Sequence, residues 1–220
     1  MSSDKKTICL NLFAGPSSGK STLAAAVFAL LKMHGVDAEL VTEFAKDLTW
    51  ENRQDILNDN QYYVWGKQYH KLWRLNGKVD IIVTDSSLLL GLMYGAVDEP
   101  QCFKDSVMHS YNKFSNINYF IKRIKEFNPN GRNQNEDESV ELDNRIMGML
   151  KDNGVDYEIV AGDLEGANKI ANDLLCRFEK VMCIKFNTMS LQEIWDGWSE
   201  EYVDILDQNA VCYGVVKKDL

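Results

Sequence analysis

The residues with the clearest chemical potential form one short loop, residues 14–22. It follows the apolar run 8–13 and precedes the helix-forming stretch 23–31. A strand that turns through small residues into a helix points backbone N–H groups and the positive end of a helix dipole at one place. The loop reads Ala14, Gly15, Pro16, Ser17, Ser18, Gly19, Lys20, Ser21, Thr22. We expect residues 15–22 to contact a polyphosphate.

Individual side chains in this loop suit a nucleotide phosphate chain. Gly19 allows close backbone approach, Lys20 can reach the outer phosphates, and the Ser21 hydroxyl can bind Mg²⁺. A plain strand-to-helix turn is the alternative, but it would not need a lysine followed by two hydroxyl residues. Ala14 replaces the glycine of the strict motif, which is a minor departure. The pattern therefore predicts a P-loop.

A carboxylate lies at the end of the third predicted strand, after the apolar residues Val79, Ile81, Ile82 and Val83. This residue, Asp85, would lie beside the P-loop and hold Mg²⁺ directly or through water. It could instead cap a helix, because Asp85-Ser86-Ser87 precedes an apolar helix-forming run. Both roles are compatible with one loop, and the P-loop favours the Mg²⁺ role.

A second carboxylate, Glu43, ends the second predicted strand. In doubly wound sheets, ligands bind at the carboxyl ends of the strands. A carboxylate there could accept a proton from an attacking hydroxyl group. Glu43 could equally be an exposed acid at a helix start, and Asp47 is a second candidate for the base.

The polar stretch 126–139, called the lid segment here, connects the fourth predicted strand to a helix. Connections of this length often act as lids over an active site. Arg132 is the preferred cation to close over the γ-phosphate, with Arg123 and Lys125 nearby. A solvated charged loop is the alternative.

An aromatic segment, residues 62–74, is predicted to be helical. Its members could line an acceptor pocket, with Gln68 recognising a polar edge, although helical spacing also fits a core-facing stripe. The aromatic residues are Tyr62, Tyr63, Trp65, Tyr69 and Trp73.

Strand-like and helix-like runs alternate along the chain, which favours an α/β fold with a largely parallel sheet. The strand-like runs are 7–13, 38–42, 80–84, 117–124 and 157–160, and later helices are expected at 88–94, 103–114, 140–150 and 167–178. Composition changes after about residue 180. We therefore expect a main domain at 1–180 and a C-terminal appendage at 181–220, which contains an acidic amphipathic segment at 191–206.

Composition restricts the class of protein. The 220-residue chain carries a formal net charge of −9, which disfavours a broad nucleic-acid surface but permits a local basic patch. Five scattered cysteines without paired spacing fit reduced thiols in the cytoplasm. No signal or membrane-spanning run is expected. The three histidines lack metal-ligand spacing.

Together, the P-loop, Val41-Thr42-Glu43, Val83-Thr84-Asp85 and Asn130-Gly131-Arg132 resemble a small P-loop kinase. The chain is similar, over about residues 7–178, to P-loop kinase-like proteins of bacteriophages, and more distantly to nucleoside kinases and ribosylnicotinamide kinase. This resemblance implies a three-layer P-loop NTPase fold of about five parallel strands with a lid. The kinases carry an Asp-Arg pair where this chain has Asp85-Ser86.

The resemblance implies an ATP-dependent and Mg²⁺-dependent kinase. Lys20, Glu43, Asp85 and Arg132 would be its catalytic residues, Ser21 and Asp85 its metal ligands, and a nucleoside-like or nucleotide-like hydroxyl compound its acceptor. An alternative acceptor is 5-hydroxymethyluracil in phage DNA. A phage-encoded kinase would act in the host cytoplasm. A different class of function is a nucleotide-operated ATPase or switch that binds a protein partner through residues 191–206.

Overall fold

Five parallel strands form the centre of the chain in a computed structural model, which describes residues 7–94, 100–124 and 136–186. The strands are β1 Ile8–Phe13, β2 Ala38–Val41, β3 Ile81–Thr84, β4 Ser115–Lys122 and β5 Glu158–Ala161. Their order in the sheet is β2-β3-β1-β4-β5. All five predicted strand-like runs are strands, and their four neighbouring pairs are parallel, so the predicted parallel α/β sheet is confirmed.

Helices fill the connections between the strands. They are α1 Lys20–Met33, α2 Phe44–Trp50, α3 Gln54–Asp59, α4 Gln61–Trp73, α5 Gly91–Tyr94, α6 Gln101–Tyr111, α7 Glu136–Asp152 and α8 Leu164–Phe186, with a 3₁₀ helix at Leu88–Leu90. The helices that follow β3 overlap the four helical runs predicted at 88–94, 103–114, 140–150 and 167–178. Three helices, rather than the single aromatic one, connect β2 to β3.

The strand order places helices on both faces of the sheet. The connection from β1 to β2 runs in one direction across the sheet, whereas those from β2, β3 and β4 run in the other. Since parallel crossovers are right-handed, α1 covers one face and the helices between β2 and β5 cover the opposite face. A crevice forms at the carboxyl end of β1, because the connections that follow β1 and β3 leave the sheet on opposite faces there.

Apolar side chains hold these layers together. Leu10 and Leu12 of β1 are fully buried. On α1, four buried side chains lie at the spacing of one helix face, namely Leu23, Ala24, Val27 and Leu31. Leu72 of α4 packs in one cluster with Cys9 of β1 and Ile82 of β3. Both α1 and α4 are thereby fixed against the sheet, and with them the loops at its carboxyl edge.

The lid segment is shorter than predicted at its C-terminal end. Helix α7 begins at Glu136, so residues 136–139 are helical rather than part of a structureless connection. Ser139 is fully buried, and its backbone carbonyl lies beside Gly15 of the P-loop. This tertiary contact extends the helix beyond the boundary that periodicity indicated. The rest of the lid segment, including Arg132, lies outside the described residues.

The chain divides into two compact units, residues 1–173 and 174–220. The division falls within α8, and residues 174–186 of the second unit are helical. The predicted boundary near residue 180 and the role of the appendage stay predictions. Among the described residues, no helix combines the length and apolarity that a bilayer crossing requires.

Two cysteines of the first unit should differ sharply in reactivity. Burial raises the pKa of the Cys9 thiol to about 12, whereas Cys102 is exposed. Cys9 should therefore remain a protonated, unreactive thiol at pH 8. We expect iodoacetamide to modify Cys102 in the native protein and Cys9 only after denaturation, as measured by peptide mass spectrometry with Cys102→Ser as control. Equal native rates at the two sites would contradict the buried position of β1.

Candidate functional site

The P-loop connects the carboxyl end of β1 to the first turn of α1. Gly19 precedes the first residue of α1 and has a left-handed backbone, with φ of 93°. Ser17 also has a positive φ, of 61°. Residues 16–22 line a cleft of about 950 Å³ at this edge of the sheet. The predicted phosphate-binding residues therefore face the cleft, apart from Gly15, which lies buried behind them.

The P-loop is closed by hydrogen bonds from its own side chains. The Lys20 ammonium donates to the backbone carbonyls of Ala14, at 2.6 Å, and Gly15, at 3.0 Å. The hydroxyl of Ser18 donates to the carbonyl of Gly15 at 3.0 Å. The positive charge of Lys20 is thus held at the start of α1, where the helix dipole also favours an anion.

An ion pair from outside the P-loop supports its first half. The Asp143 carboxylate on α7 accepts a hydrogen bond from the backbone N–H of Gly15 and pairs with Arg123 at 3.0 Å. Arg123, just after β4, also donates to the carbonyl of Pro16. Their side chains are only 12% and 14% exposed. Arg123, which the sequence placed among the lid cations, is therefore a support of the loop in this structure.

Glycine is required at residue 15 because α7 approaches so closely. A Cβ atom built there would lie 2.6 Å from the backbone carbonyl oxygen of Ser139 and 2.9 Å from an Asp143 carboxylate oxygen. A backbone atom cannot move aside as a side chain can. The first turns of α7 and the P-loop are therefore packed as one element.

Replacing Gly15 by alanine should displace the P-loop from α7. We expect Gly15→Ala to weaken ATP binding at least tenfold and to lower the melting temperature, measured by calorimetric titration and thermal unfolding. Gly148→Ala, also on α7, is the matched control, since no described atom lies within 4 Å of its added Cβ. That control should bind ATP normally and gain about 0.5–1 kcal/mol of stability. Normal ATP binding by Gly15→Ala would contradict the coupling.

Asp85 joins the ends of β3 and β2. Its buried carboxylate accepts a hydrogen bond from the backbone N–H of Glu43 at 3.1 Å. The cap of the following 3₁₀ helix is Ser87, whose hydroxyl accepts from the N–H of Leu89 at 3.4 Å. The capping role that was open to Asp85 thus belongs to Ser87. Asp85 itself is buried and does not line the cleft.

The structure separates the two candidate bases. Glu43 is half-buried at the N-cap of α2, makes no side-chain capping bond and lines the cleft. Asp47 is exposed on α2, lies 3.9 Å from the ammonium of Lys71 and does not line the cleft. Of the two carboxylates, Glu43 is the one placed where a ligand can reach it.

Gln68 ties the loop after β2 to the loop after β3. Its amide oxygen accepts from the backbone N–H of Phe44 at 3.0 Å, and its amide nitrogen donates to the carbonyl of Ser86 at 3.1 Å. The side chain is buried at the cleft floor. Since both the oxygen and the nitrogen of its amide are hydrogen-bonded to the backbone, Gln68 supports the loops that carry Glu43 and Asp85. It is not placed to recognise a ligand.

Loss of this bridge should cost stability and displace Glu43. In Gln68→Leu, the Phe44 N–H loses its side-chain partner, and the Ser86 carbonyl, which also accepts from the Thr84 hydroxyl, loses one of its donors. This loss should lower the free energy of unfolding by ~1–3 kcal/mol. Urea unfolding measures this change. Exposed Gln101, whose amide nitrogen donates to Asp105 on its own helix, supplies the control Gln101→Leu. An equal stability loss in both variants would contradict the bridge.

Tyr94 adds a hydroxyl group to the cleft at the end of α5. Partial burial, reinforced by the negative charges of Glu43 and Asp143, raises the pKa of its phenol to about 12, although Arg145 opposes the shift. The phenol therefore stays protonated at neutral pH. It can donate a hydrogen bond, but it cannot serve as a general base there.

Two oxygen donors fit the Mg²⁺ ion that the P-loop implies. The Ser21 hydroxyl is exposed in the cleft, and the Asp85 carboxylate lies at the neighbouring strand end. Both are hard oxygen ligands of the kind that Mg²⁺ prefers, and Mg²⁺ usually keeps several waters. Because Asp85 is buried and does not line the cleft, it fits a water-mediated contact best. The described residues contain no cluster of three His, Cys, Asp or Glu side chains for another metal.

The aromatic segment contributes to the cleft through one ring. Trp65 of α4 lines the cleft and stacks on Tyr69, with ring centroids 5.5 Å apart. Tyr62, Tyr63 and Trp73 are partly exposed and do not line it.

Several residues of the site were not found by sequence reasoning. Asp143 lies 128 residues from Gly15 and sits within an ordinary amphipathic helix. Trp50 and Asn52, at the end of α2, line the cleft within a stretch of sequence without a motif.

Comparison with known proteins places the chain in a family. No relative was found among curated proteins. Among solved structures, the chain is similar to the Mycobacterium tuberculosis APS kinase CysC, solved in complex with AMPPNP and APS, at 11% identity and a TM-score of 0.44, covering 79% of this chain and 98% of that chain. A family profile described as an AAA domain matches residues 10–166, more than half of the chain. This P-loop nucleotide-binding chain therefore belongs to that AAA domain family.

Proposed function

We propose that the protein is a kinase that transfers the γ-phosphoryl group of ATP to a hydroxyl group of a nucleoside-like or nucleotide-like acceptor. The observation that carries this proposal is the position of Glu43. Glu43 lines the same cleft as the P-loop, and its backbone N–H donates a hydrogen bond to Asp85. A phosphate-binding loop and a base candidate thus share one space, as phosphoryl transfer to a hydroxyl requires.

The P-loop would provide the donor half of the reaction. Its backbone N–H groups and the Lys20 ammonium hold the phosphates and offset the charge that develops in the transition state. Mg²⁺, held by Ser21 and through water by Asp85, supplies further charge neutralisation when bound. Arg132 of the lid segment is proposed as a cation over the γ-phosphate.

Glu43 would provide the acceptor half. Its carboxylate accepts the proton of the acceptor hydroxyl while the hydroxyl oxygen attacks the γ-phosphorus and the bond to the ADP oxygen breaks. The phosphorylated acceptor, ADP and the protonated Glu43 are the products of this step. Tyr94 remains protonated and is available to donate a hydrogen bond in the cleft.

The DNA-base alternative receives less support than a small acceptor. In that alternative, the cations between Lys122 and Arg132 could supply a local contact to DNA. Arg123 is instead paired with Asp143 and bonded to Pro16, so it is not free for that role. The switch alternative depends on residues 191–206, which lie outside the described residues. A small hydroxyl compound is therefore the preferred acceptor class.

Transfer of label tests the kinase proposal directly. The protein is incubated with Mg²⁺, γ-labelled ATP and separate pools of nucleosides, nucleotides, ribosylnicotinamide, and DNA with or without hydroxymethyluracil. We expect label in a nucleoside or nucleotide pool. Release of free phosphate with no label in any pool would reject the kinase and favour an ATPase or switch.

The two carboxylates near the start of α2 provide a matched pair of variants. Glu43→Gln should lower the rate of phosphoryl transfer at least a hundredfold, because the proton acceptor is lost, while ATP binding is retained. Asp47→Asn should leave both properties unchanged, since Asp47 lies outside the cleft beside Lys71. Transfer rates and calorimetric ATP titrations measure these effects. Unchanged transfer by Glu43→Gln would remove it from the mechanism.

A further inference from the structure

The cleft continues beyond Glu43 into a region that the P-loop does not occupy. This outer cleft is formed by α2, α3 and the first turns of α4. Its lining includes Lys46, Thr49, Trp50, Asn52, Asn58 and Gln61. The backbone turns sharply between α2 and α3 at Asn52, which has φ of 56°. The turn brings both short helices to one side of the cleft.

Charge in the outer cleft is nearly balanced. Outside the P-loop, Lys46 is the one lining side chain with a positive charge among the described residues, and Glu43 is the one carboxylate. The nearby guanidinium of Arg53 bonds both oxygens of Asp55, at 2.9 and 2.8 Å, and does not line the cleft. Recognition of a phosphate-bearing ligand typically uses arginine forks or clustered cations. The outer cleft lacks that arrangement in the described residues.

Neutral amides take the place of charges. The side chains of Asn52, Gln54, Asn58 and Gln61 line the outer cleft. An amide group offers both donors and an acceptor, which suits the polar edge of an uncharged heterocycle or the hydroxyl groups of a sugar. One donor of Gln61 is already used, since its amide nitrogen donates to the backbone carbonyl of Leu57. This lining therefore fits a neutral polar ligand better than a phosphorylated one.

Trp50 presents a flat apolar surface at the rim of the same region. Its side chain is 71% exposed although the residue lines the cleft. An indole in this position can stack on a planar ring, and such stacking tolerates different bases. The exposed indole at the rim and the amides along the lining are complementary to the two parts of a nucleoside.

We infer that the outer cleft binds an uncharged nucleoside, without a 5′-phosphate, and that the indole of Trp50 stacks on its base. If the proposed kinase function holds, on which this part of the inference rests, the acceptor is a nucleoside and not a nucleotide. The binding itself depends only on the outer cleft. Trp50 is therefore a specificity-determining residue for the acceptor and has no role in holding ATP.

Equilibrium dialysis tests the binding without any turnover. The full chain, with a non-hydrolysable ATP analogue, is dialysed against labelled ribonucleosides and deoxynucleosides, including 5-hydroxymethyl-2′-deoxyuridine, and against their 5′-monophosphates. We expect at least one nucleoside to bind at least tenfold more tightly than its own monophosphate. No nucleoside binding, or tighter binding of the monophosphates, would overturn the inference.

Tryptophan variants locate the site. Trp50→Ala should weaken nucleoside binding about tenfold, which corresponds to ~1.4 kcal/mol, while Trp50→Phe should restore most of the affinity. Trp73→Ala is the matched control, because Trp73 is 57% exposed on α4 but does not line the cleft. All three variants should bind the ATP analogue normally and keep the melting temperature. Normal nucleoside binding by Trp50→Ala would overturn the stacking role.

The labelled-ATP assay separates this inference from the kinase proposal. Nucleoside binding that depends on Trp50 without any phosphoryl transfer would support the inference and reject the kinase. Transfer to nucleoside monophosphates but not to nucleosides would keep the kinase and overturn the inference. Transfer to nucleosides with a raised acceptor KM in Trp50→Ala, and an unchanged KM for ATP, would support both.

Discussion

The hydrogen bond from the backbone N–H of Glu43 to the buried carboxylate of Asp85 connects the two halves of the site. A buried carboxylate needs hydrogen-bond donors, because the loss of water around its charge is costly. Here the donor belongs to the residue that carries the base candidate. The loop after β2 is consequently held against the loop after β3, and Gln68 repeats the connection one residue further along both loops. The position of Glu43 in the cleft depends on these contacts.

The P-loop is supported in a similar way on its other side. Asp143 and Arg123 form a pair that is largely excluded from solvent, and each bonds one backbone group of the loop. A loop that binds phosphates through its N–H groups works best when those groups are already oriented, since no reorganisation is then needed during reaction. Because Asp143 belongs to α7 and Arg123 precedes the lid segment, both ends of the lid connection are anchored at the phosphate site.

The two halves of the cleft differ in chemistry. The half around Lys20 offers backbone donors, a helix N-terminus and a cation, all of which favour an anion. The half around Trp50 offers amides and indoles with balanced charge. Such a division would direct the polyphosphate and the neutral acceptor to different ends of one space. The net charge of −9 further disfavours binding of polyanions away from the P-loop.

Local sequence determined the P-loop, the five parallel strands and the placement of Asp85 at a strand end, because each depends on residue types at short spacing. Only the tertiary structure decided which carboxylate faces the cleft, since Glu43 and Asp47 are four residues apart on the same turn of chain. It also assigned Ser87 as the cap, Gln68 as a bridge and Asp143 as the support of Gly15. The contacts of Gln68 and Asp143 join residues from 18 to 128 positions apart, and no periodic pattern records which distant side chains will meet. The P-loop could therefore be predicted from the sequence. The contacts that place it in one cleft with Glu43 were decided by tertiary packing.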